Sequence, residues 1–310
     1  MGKLEIALLM GGWSGERNIS IKSGESVYKA LDKEKYNVVS YDPYNYIELE
    51  GLLKERDRID LAFILLHGKF GEDGRVQGFL DLLNIPFVGS GVLTSAMAFN
   101  KKIAKDIYKC AGLNVIKDEM LYEDQAFSLD KIIDSLGPST VVKPVAEGSS
   151  LGISVCRNRK DLLAGIDIAF NHCREIMVEK YIEGREVTCC VIGGKDLETL
   201  PIVEIIPDKG RKYFDYDSKY TPGLTNEVCP AKLTTDLVER VEACAKSAHN
   251  ALKCRTWSRT DMIISGKDVY ILETNTIPGM TENSLVPLAA RAAGISLSQL
   301  LDRLIELSLE

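Results

Sequence analysis

Two stretches of the chain hold residue types at spacings that could do chemistry. The first, KPVAEGSSLG at 143–152, puts a lysine, a glutamate, two serines and two glycines into ten positions. Its flanks, TVVKPVA and LGISVCR, both read as extended, so EGSS falls at the tip of a hairpin. Glycine there lets backbone N–H groups approach an anion closely, and the serine hydroxyls add donors. The tip therefore reads either as a phosphate cover or as a polar surface turn. Lys143, on the strand beneath, can reach back to the same phosphates.

The second stretch, SRTDMIISGKDVYILETN at 258–275, reads as two strands joined near Ser265 to Asp268. If the loop is the three residues Gly266 to Asp268, Asp261 pairs with Glu273 and Arg259 with Asn275, all on one face. That face then carries two carboxylates, an amide and a guanidinium, and the other carries Met262, Ile264, Tyr270 and Leu272. A two-residue turn would slip the register and send the partners to opposite faces. Hard oxygen donors of this kind suit Mg²⁺ bound with phosphates; a solvated hairpin face with an Arg–Asp pair is the plainer reading. No segment matches GxxxxGK[ST], so nucleotide chemistry in this chain calls for a fold other than the P-loop.

The elements that must position these groups alternate. A strand at 4–10 leads into GGWSGERNIS and then a helix marked by Ile21, Val27 and Leu31. A strand from Asp60 to Leu66 ends in HGKFGEDG, followed by a helix from Val76 to Leu83 and a strand from Ile85 to Val88. Such alternation predicts a parallel sheet whose ligands gather at the carboxyl ends of strands, where both glycine-rich loops fall. Thr94 to Cys110 predicts one helix, and 115–182 mixes short strands with a helix at 160–170. Strands at 187–193, 200–206, 259–265 and 269–275 surround a helix at 234–252, and a helix at 297–308 closes the chain. The stretch 207–230, with Tyr213, Phe214, Tyr216 and Tyr220, reads as a solvated loop or as a lid.

Composition sets the outer bounds. With 310 residues, 45% hydrophobic and 27% charged, the chain is expected to form two or three domains. A net charge of −7 opposes a general nucleic-acid or anionic-membrane partner. No apolar run approaches the ~20 residues of a membrane span. The N-terminus reads as a strand and not as a signal peptide, which places the chain in the cytoplasm. Eight cysteines without a CxxC pair fit reduced thiols.

Taken together, the motifs GGWSGERNIS, LHGKFGEDGRVQG, VGSGVLTSAMAFNK, VVKPVAEGSSLG, VEKYIEGRE, FDYDSKY, SRTD and LETNTIPGMTENSLVP resemble the D-alanine–D-alanine ligases of the ATP-grasp superfamily over nearly the whole chain. The resemblance implies an α/β (α+β) ATP-grasp fold. An N-terminal parallel α/β substrate-binding domain would occupy 1–92. A central lobe with the glycine-rich hairpin at 93–183 and a C-terminal lobe with lid loop and metal site at 184–310 would clamp ATP. By similarity, Lys101 and Lys143 hold the ATP phosphates under a cover containing Glu147, Gly148 and Ser150. Glu179, Lys180 and Ile182 line the adenine cleft, and Glu186 holds the ribose. Asp261, Glu273 and Asn275 match the ligands of two Mg²⁺ (or Mn²⁺) ions.

The same resemblance assigns Glu16 to the ammonium of the first D-alanine, with His67 nearby, and links Ser149 and Tyr220 to Glu16 in a chain that holds the lid shut. Lys219 would reach the transferred phosphate, Arg259 and the Gly279 N–H the oxyanion, and Ser284 and Leu285 the second D-alanine. The implied reaction forms D-alanyl-D-alanine through an acyl phosphate for peptidoglycan synthesis, and relatives are usually homodimers. The chain departs from the family pattern at Arg255-Thr256-Trp257-Ser258, at Asn283 and at Gly12-Trp13. Alternatives are a D-alanine–D-serine or D-lactate ligase, the latter disfavoured by Lys219-Tyr220, and an ATP-grasp regulatory protein without catalysis.

Overall fold

A computed structural model describes residues 2–148, 151–207 and 225–310. Its first sheet is parallel. Strands β1 (Leu4–Leu9), β2 (Tyr36–Tyr41) and β3 (Leu61–Ile64) lie in the order β2-β1-β3, with helices α1 (Arg17–Ala30) and α2 (Tyr46–Glu55) in the crossovers. Residues 6–9 of β1 and all of β3 are apolar and buried because both faces of this sheet are covered. The strand expected at Ile85 to Val88 shortens to a single parallel bridge between Phe87 and Ala62. Pro86 supplies a carbonyl to the Ala62 N–H but has no N–H of its own to continue a ladder.

After helices α3 (Arg75–Leu82) and α4 (Val92–Phe99) comes α5 (Lys101–Cys110). The single helix expected from Thr94 to Cys110 is thus two. The break is Asn100, at φ −86° and ψ 102°, whose side chain accepts from the Lys102 and Ile103 N–H groups and so caps a new helix. Lys101 stands at the first position after this cap and not on an exposed mid-helix face.

A second sheet is antiparallel, ordered β4-β7-β5-β6 from β4 (Asp118–Tyr122), β5 (Thr140–Pro144), β6 (Ser154–Cys156) and β7 (Glu175–Lys180). Helices α6 (Leu129–Leu136) and α7 (Arg159–Phe170) cover one face, burying Ile132, Leu136, Leu162 and Ile166 against Val142 and Val178. The register Thr140↔Cys156 and Val142↔Ser154 makes the glycine-rich stretch the link between two paired strands, as expected.

The third sheet runs β11-β10-β8-β12-β13, built from β8 (Arg185–Gly193), β10 (Val203–Pro207), β11 (Thr225–Val228), β12 (Thr256–Ser265) and β13 (Asp268–Asn275), with β9 (Leu197–Thr199) on β8. Helix α8 (Thr235–Ala251) packs Val241, Ala245 and Ala248 on one side. Helices α9 (Leu285–Ala292) and α10 (Leu297–Leu309) share a core with the first sheet, where Leu300, Leu301 and Leu304 meet Ile6, Leu8 and Phe63. Among the described residues no helix is long and apolar enough to cross a membrane.

The β12–β13 hairpin corrects the expected loop. Its turn has two residues, Gly266 and Lys267, with Gly266 at φ 61° as a primed hairpin turn requires. Arg259↔Asn275 and Asp261↔Glu273 are nonetheless opposed, because the register shifts between Asp261 and Met262. An extra residue, Leu272, takes up the slip as a bulge. The core face is therefore Met262, Ile264, Val269 and Ile271, and the expected Tyr270 and Leu272 are not part of it.

Candidate active site

Two cavities meet between the three sheets. The larger, about 710 Å³, is lined by Glu16, His67, Glu72, Lys101, Glu147, Gly148, Arg259, Glu273, Asn275, Gly279, Ser284 and Leu285. The smaller, about 330 Å³, is lined by Lys143, Glu179, Lys180, Ile182, Glu186 and Asp261, with apolar walls from Ile116, Val141, Val155, Ile206, Ile263 and Leu272. Lys101, Ile153 and Glu273 border both. Of the candidate site residues, Ser149, Ser150, Lys219 and Tyr220 lie outside the described residues, as do Tyr213, Phe214 and Tyr216 of the expected loop or lid.

The first loop is shaped by its glycines and one carboxylate. Gly11 and Gly12 stand at φ 88° and 78°, where a side chain is strained. Asp42 accepts from the Gly12 N–H at 2.9 Å and from the Arg17 guanidinium, which also bonds the Gly12 carbonyl. The Ser14 hydroxyl donates to the His67 carbonyl at 2.6 Å, tying this loop to the second. Glu16, 6% exposed, ends the loop at the start of α1. His67 sits with Nε2 3.2 Å from the Ser23 hydroxyl and Nδ1 3.7 Å from Glu72. Burial pushes the Glu72 carboxyl above its ordinary range, against the pull of His67 and with the help of the Glu16 charge.

Gly148 brings the hairpin onto this loop pair. A Cβ there would lie 2.1 Å from Glu16 Oε2 and 3.4 Å from the Gly68 Cα, so a side chain would force the Glu16 carboxylate or the hairpin to shift. The Lys101 ammonium donates to the Glu147 carbonyl at 2.8 Å and lies 3.4 Å from Glu273 Oε2, linking hairpin, α5 and β13.

Beneath the hairpin, the Lys143 ammonium is 2.7 Å from Glu179 Oε2 and the Lys105 ammonium binds the other oxygen; all three residues are buried. Burial alone would raise the Glu179 carboxyl, but the two ammonium groups override it and hold the acid below its usual range. Lys105, itself lowered by burial, lies 3.2 Å from Asp118 as well. Lys105 was not singled out in the sequence. Its signal was the i,i+4 spacing from Lys101 on an amphipathic helix, which puts both on one face.

On the third sheet Arg259 forks onto Asp261, Nε to Oδ1 at 3.0 Å and Nη2 to Oδ2 at 2.8 Å. Asn275 Nδ2 adds a bond to Oδ2 at 3.1 Å, and the buried Thr188 hydroxyl donates to Oδ1 at 2.6 Å. Thr188 left no mark in the sequence because its role comes from facing Asp261 across the β8–β12 ladder. Two opposed carboxylates and an amide at the junction of the cavities form an oxygen-rich donor set suited to a hard divalent cation.

Ser284 precedes α9, and its Oγ accepts from the Thr281 N–H at 3.0 Å. Gly279 passes so close that a Cβ would meet Ser284 Oγ at 3.0 Å. The Leu285 N–H, at the start of α9, has no partner inside the helix, and Leu285 lines the larger cavity. Of the departures, Asn283 lines the larger cavity, whereas Arg255 to Ser258 line neither. Trp257 is 1% exposed in the core, Arg255 stacks over Phe87, and the Ser258 hydroxyl lies 2.8 Å from Nδ1 of buried His249.

Comparisons with known proteins match the chain over nearly its full length. The family model described as D-ala D-ala ligase C-terminus matches residues 107–306, and D-ala D-ala ligase N-terminus matches 5–46 and 42–90. The D-alanine–D-alanine ligase of Syntrophobacter fumaroxidans is 50% identical over 308 residues, covering 99% of this chain and 98% of the relative. The ATP-complexed D-alanine–D-alanine ligase of Bacillus anthracis superposes with a TM-score of 0.85 at 36% identity, covering 99% of this chain and 97% of that one. The VanG D-Ala:D-Ser ligase of Enterococcus faecalis reaches a TM-score of 0.84 at 31% identity, covering 99% of each chain.

Proposed function

The chain belongs to the D-alanine–D-alanine ligase family, with the ATP-grasp fold, and on that premise we propose how its residues divide the work of an ADP-forming ligase. The reaction joins two D-alanine molecules with ATP as co-substrate, for peptidoglycan synthesis. One observation carries the assignment of roles. The apolar-walled cavity and the polar cavity share Lys101 and Glu273, so a nucleotide in the first presents its phosphates to a small substrate in the second.

Adenine lies among Ile182, Lys180 and the apolar walls, and Glu186 takes the ribose hydroxyls. Glu179 holds the Lys143 and Lys105 side chains in place, so that Lys143 faces the phosphates without reorganising. Lys101 fixes the Glu147 carbonyl and meets the phosphates from the other side. Ser150 belongs to the same cover. Asp261, Glu273 and Asn275 would hold two Mg²⁺ (or Mn²⁺) ions, which when bound neutralise phosphate charge.

Glu16 takes the ammonium of the first D-alanine and His67 stands beside it. The substrate carboxylate attacks the γ-phosphorus, the bond to the β-phosphate oxygen breaks, and ADP leaves. A carboxylate oxygen cannot depart on its own; as part of phosphate it can. The second D-alanine, held by Ser284 and the Leu285 N–H, then attacks the acyl carbon through its amine. Arg259 and the Gly279 N–H stabilise the oxyanion before phosphate leaves. Lys219, Tyr220 and Ser149 complete the lid and exclude water from the acyl phosphate.

This reading includes the divisions at 92 and 183, a cytoplasmic homodimer and no membrane or nucleic-acid partner. Its test uses D-alanine labelled with ¹⁸O in the carboxylate. One label per turnover should pass into inorganic phosphate. Phosphate free of label overturns the acyl-phosphate route, and ATP binding without any phosphate release favours a regulatory protein.

A further inference from the structure

The loop HGKFGEDG presents a charge that the reaction above does not use. Lys69 stands between Gly68 at φ 72° and Phe70 at φ 72°, the latter a conformation that a bulky side chain rarely adopts. The surroundings hold it there. The Phe70 N–H donates to Asp73 at 2.9 Å, and the Glu72 N–H donates to the Gly68 carbonyl at 2.9 Å. The Phe70 ring lies 5.3 Å from the Trp13 ring and under the Arg75 guanidinium at 4.6 Å. From this loop the Lys69 ammonium binds the Glu147 carboxylate of the glycine-rich hairpin.

We propose that Lys69 is a positioning residue that clamps Glu147, and through it Gly148, onto the loops carrying Glu16 and His67. Glu147 is then fixed twice, by Lys69 at its carboxylate and by Lys101 at its carbonyl. Among the described residues, Gly148 also passes close to Glu16. The Lys69–Glu147 pair is a charged contact between hairpin and loop, and it helps set how the phosphate cover registers on the amino-acid site. The proposal rests on reading the hairpin as the phosphate cover, but its primary test does not.

That test is amide hydrogen exchange of peptides spanning 143–153 in the full chain, without nucleotide or D-alanine. Lys69 is half exposed, so Lys69→Met should leave the thermal midpoint in place. Exchange in the hairpin should speed up about two- to fivefold, the range of one partly exposed ion pair, and Lys69→Arg should restore it. In turnover, Lys69→Met should raise the KM for ATP by a similar factor. Lys69→Glu and Glu147→Lys should each be worse, and the double swap should recover most of the loss. Wild-type exchange in Lys69→Met, or defects that multiply in the swap, overturns the clamp while leaving the ligase assignment intact. Altered exchange in a protein that makes no acyl phosphate would keep the clamp and overturn only the reaction.

Discussion

Gly148→Ala is the sharpest single perturbation of the account, because its effect can be worked from one distance. The added methyl would sit 2.1 Å from Glu16 Oε2 and 3.0 Å from its Cδ, whereas ordinary contact begins near 3.4 Å. Something must move by about 1.3 Å, the difference between 2.1 and 3.4 Å. Either the buried Glu16 carboxylate or the hairpin tip must yield, and both orient reactants in the proposed reaction. A shift of about 1 Å in a group that orients reactants costs about 10²-fold in rate. Phosphate release with saturating D-alanine and ATP should therefore fall about a hundredfold, with the thermal midpoint nearly unchanged. Turnover within about threefold of wild type would refute the claim that the tip must seat against Glu16.

Removing the Arg259 guanidinium by Arg259→Ala, or the Lys143 ammonium by Lys143→Ala, should lower turnover by about 10²-fold or more, the scale of one preorganised group; near-wild-type rates in both would contradict their roles. Trp257→Ala should destabilise the fold by about 3–5 kcal/mol in denaturant unfolding, as for a large core side chain, with the KM for D-alanine unchanged because Trp257 lines neither cavity. His249 supplies a pH dependence. Burial lowers its pKa from 6.5 to about 4, so it is neutral when folded while the unfolded chain takes up a proton below pH 6.5. Stability from this residue is complete at neutral pH and declines as pH falls, by about 3 kcal/mol at pH 4. A His249→Asn variant whose stability falls equally steeply between pH 7 and 4 would remove His249 as the cause.

Most of the candidate residues named in the sequence line one of the two cavities, and the misses share a cause. The pairing of Asp261 with Glu273 was expected for a three-residue loop; the chain reaches it with a two-residue turn and a bulge at Leu272. Alternation alone cannot distinguish these two routes, yet they exchange Tyr270 and Leu272 for Val269 and Ile271 in the core. The helix break at Asn100 was hidden because apolar spacing continues through it, although the cap is what turns Lys101 toward Glu147 and Glu273. Lys69 and Thr188 act through partners 78 and 73 positions away, and no local pattern encodes such contacts. In the departure at 255–258, Trp257 belongs to the core and none of the four residues lines either cavity.

The central claim is that this chain activates one D-alanine with ATP and joins it to a second. The most direct measurement offers the protein ATP, Mg²⁺ and an equimolar mixture of D-alanine, D-serine and D-lactate, and identifies products by mass spectrometry. The account predicts D-alanyl-D-alanine as the main product, with one ADP formed for each dipeptide. A main product ending in D-serine or D-lactate, or ADP formed without any dipeptide, would contradict it.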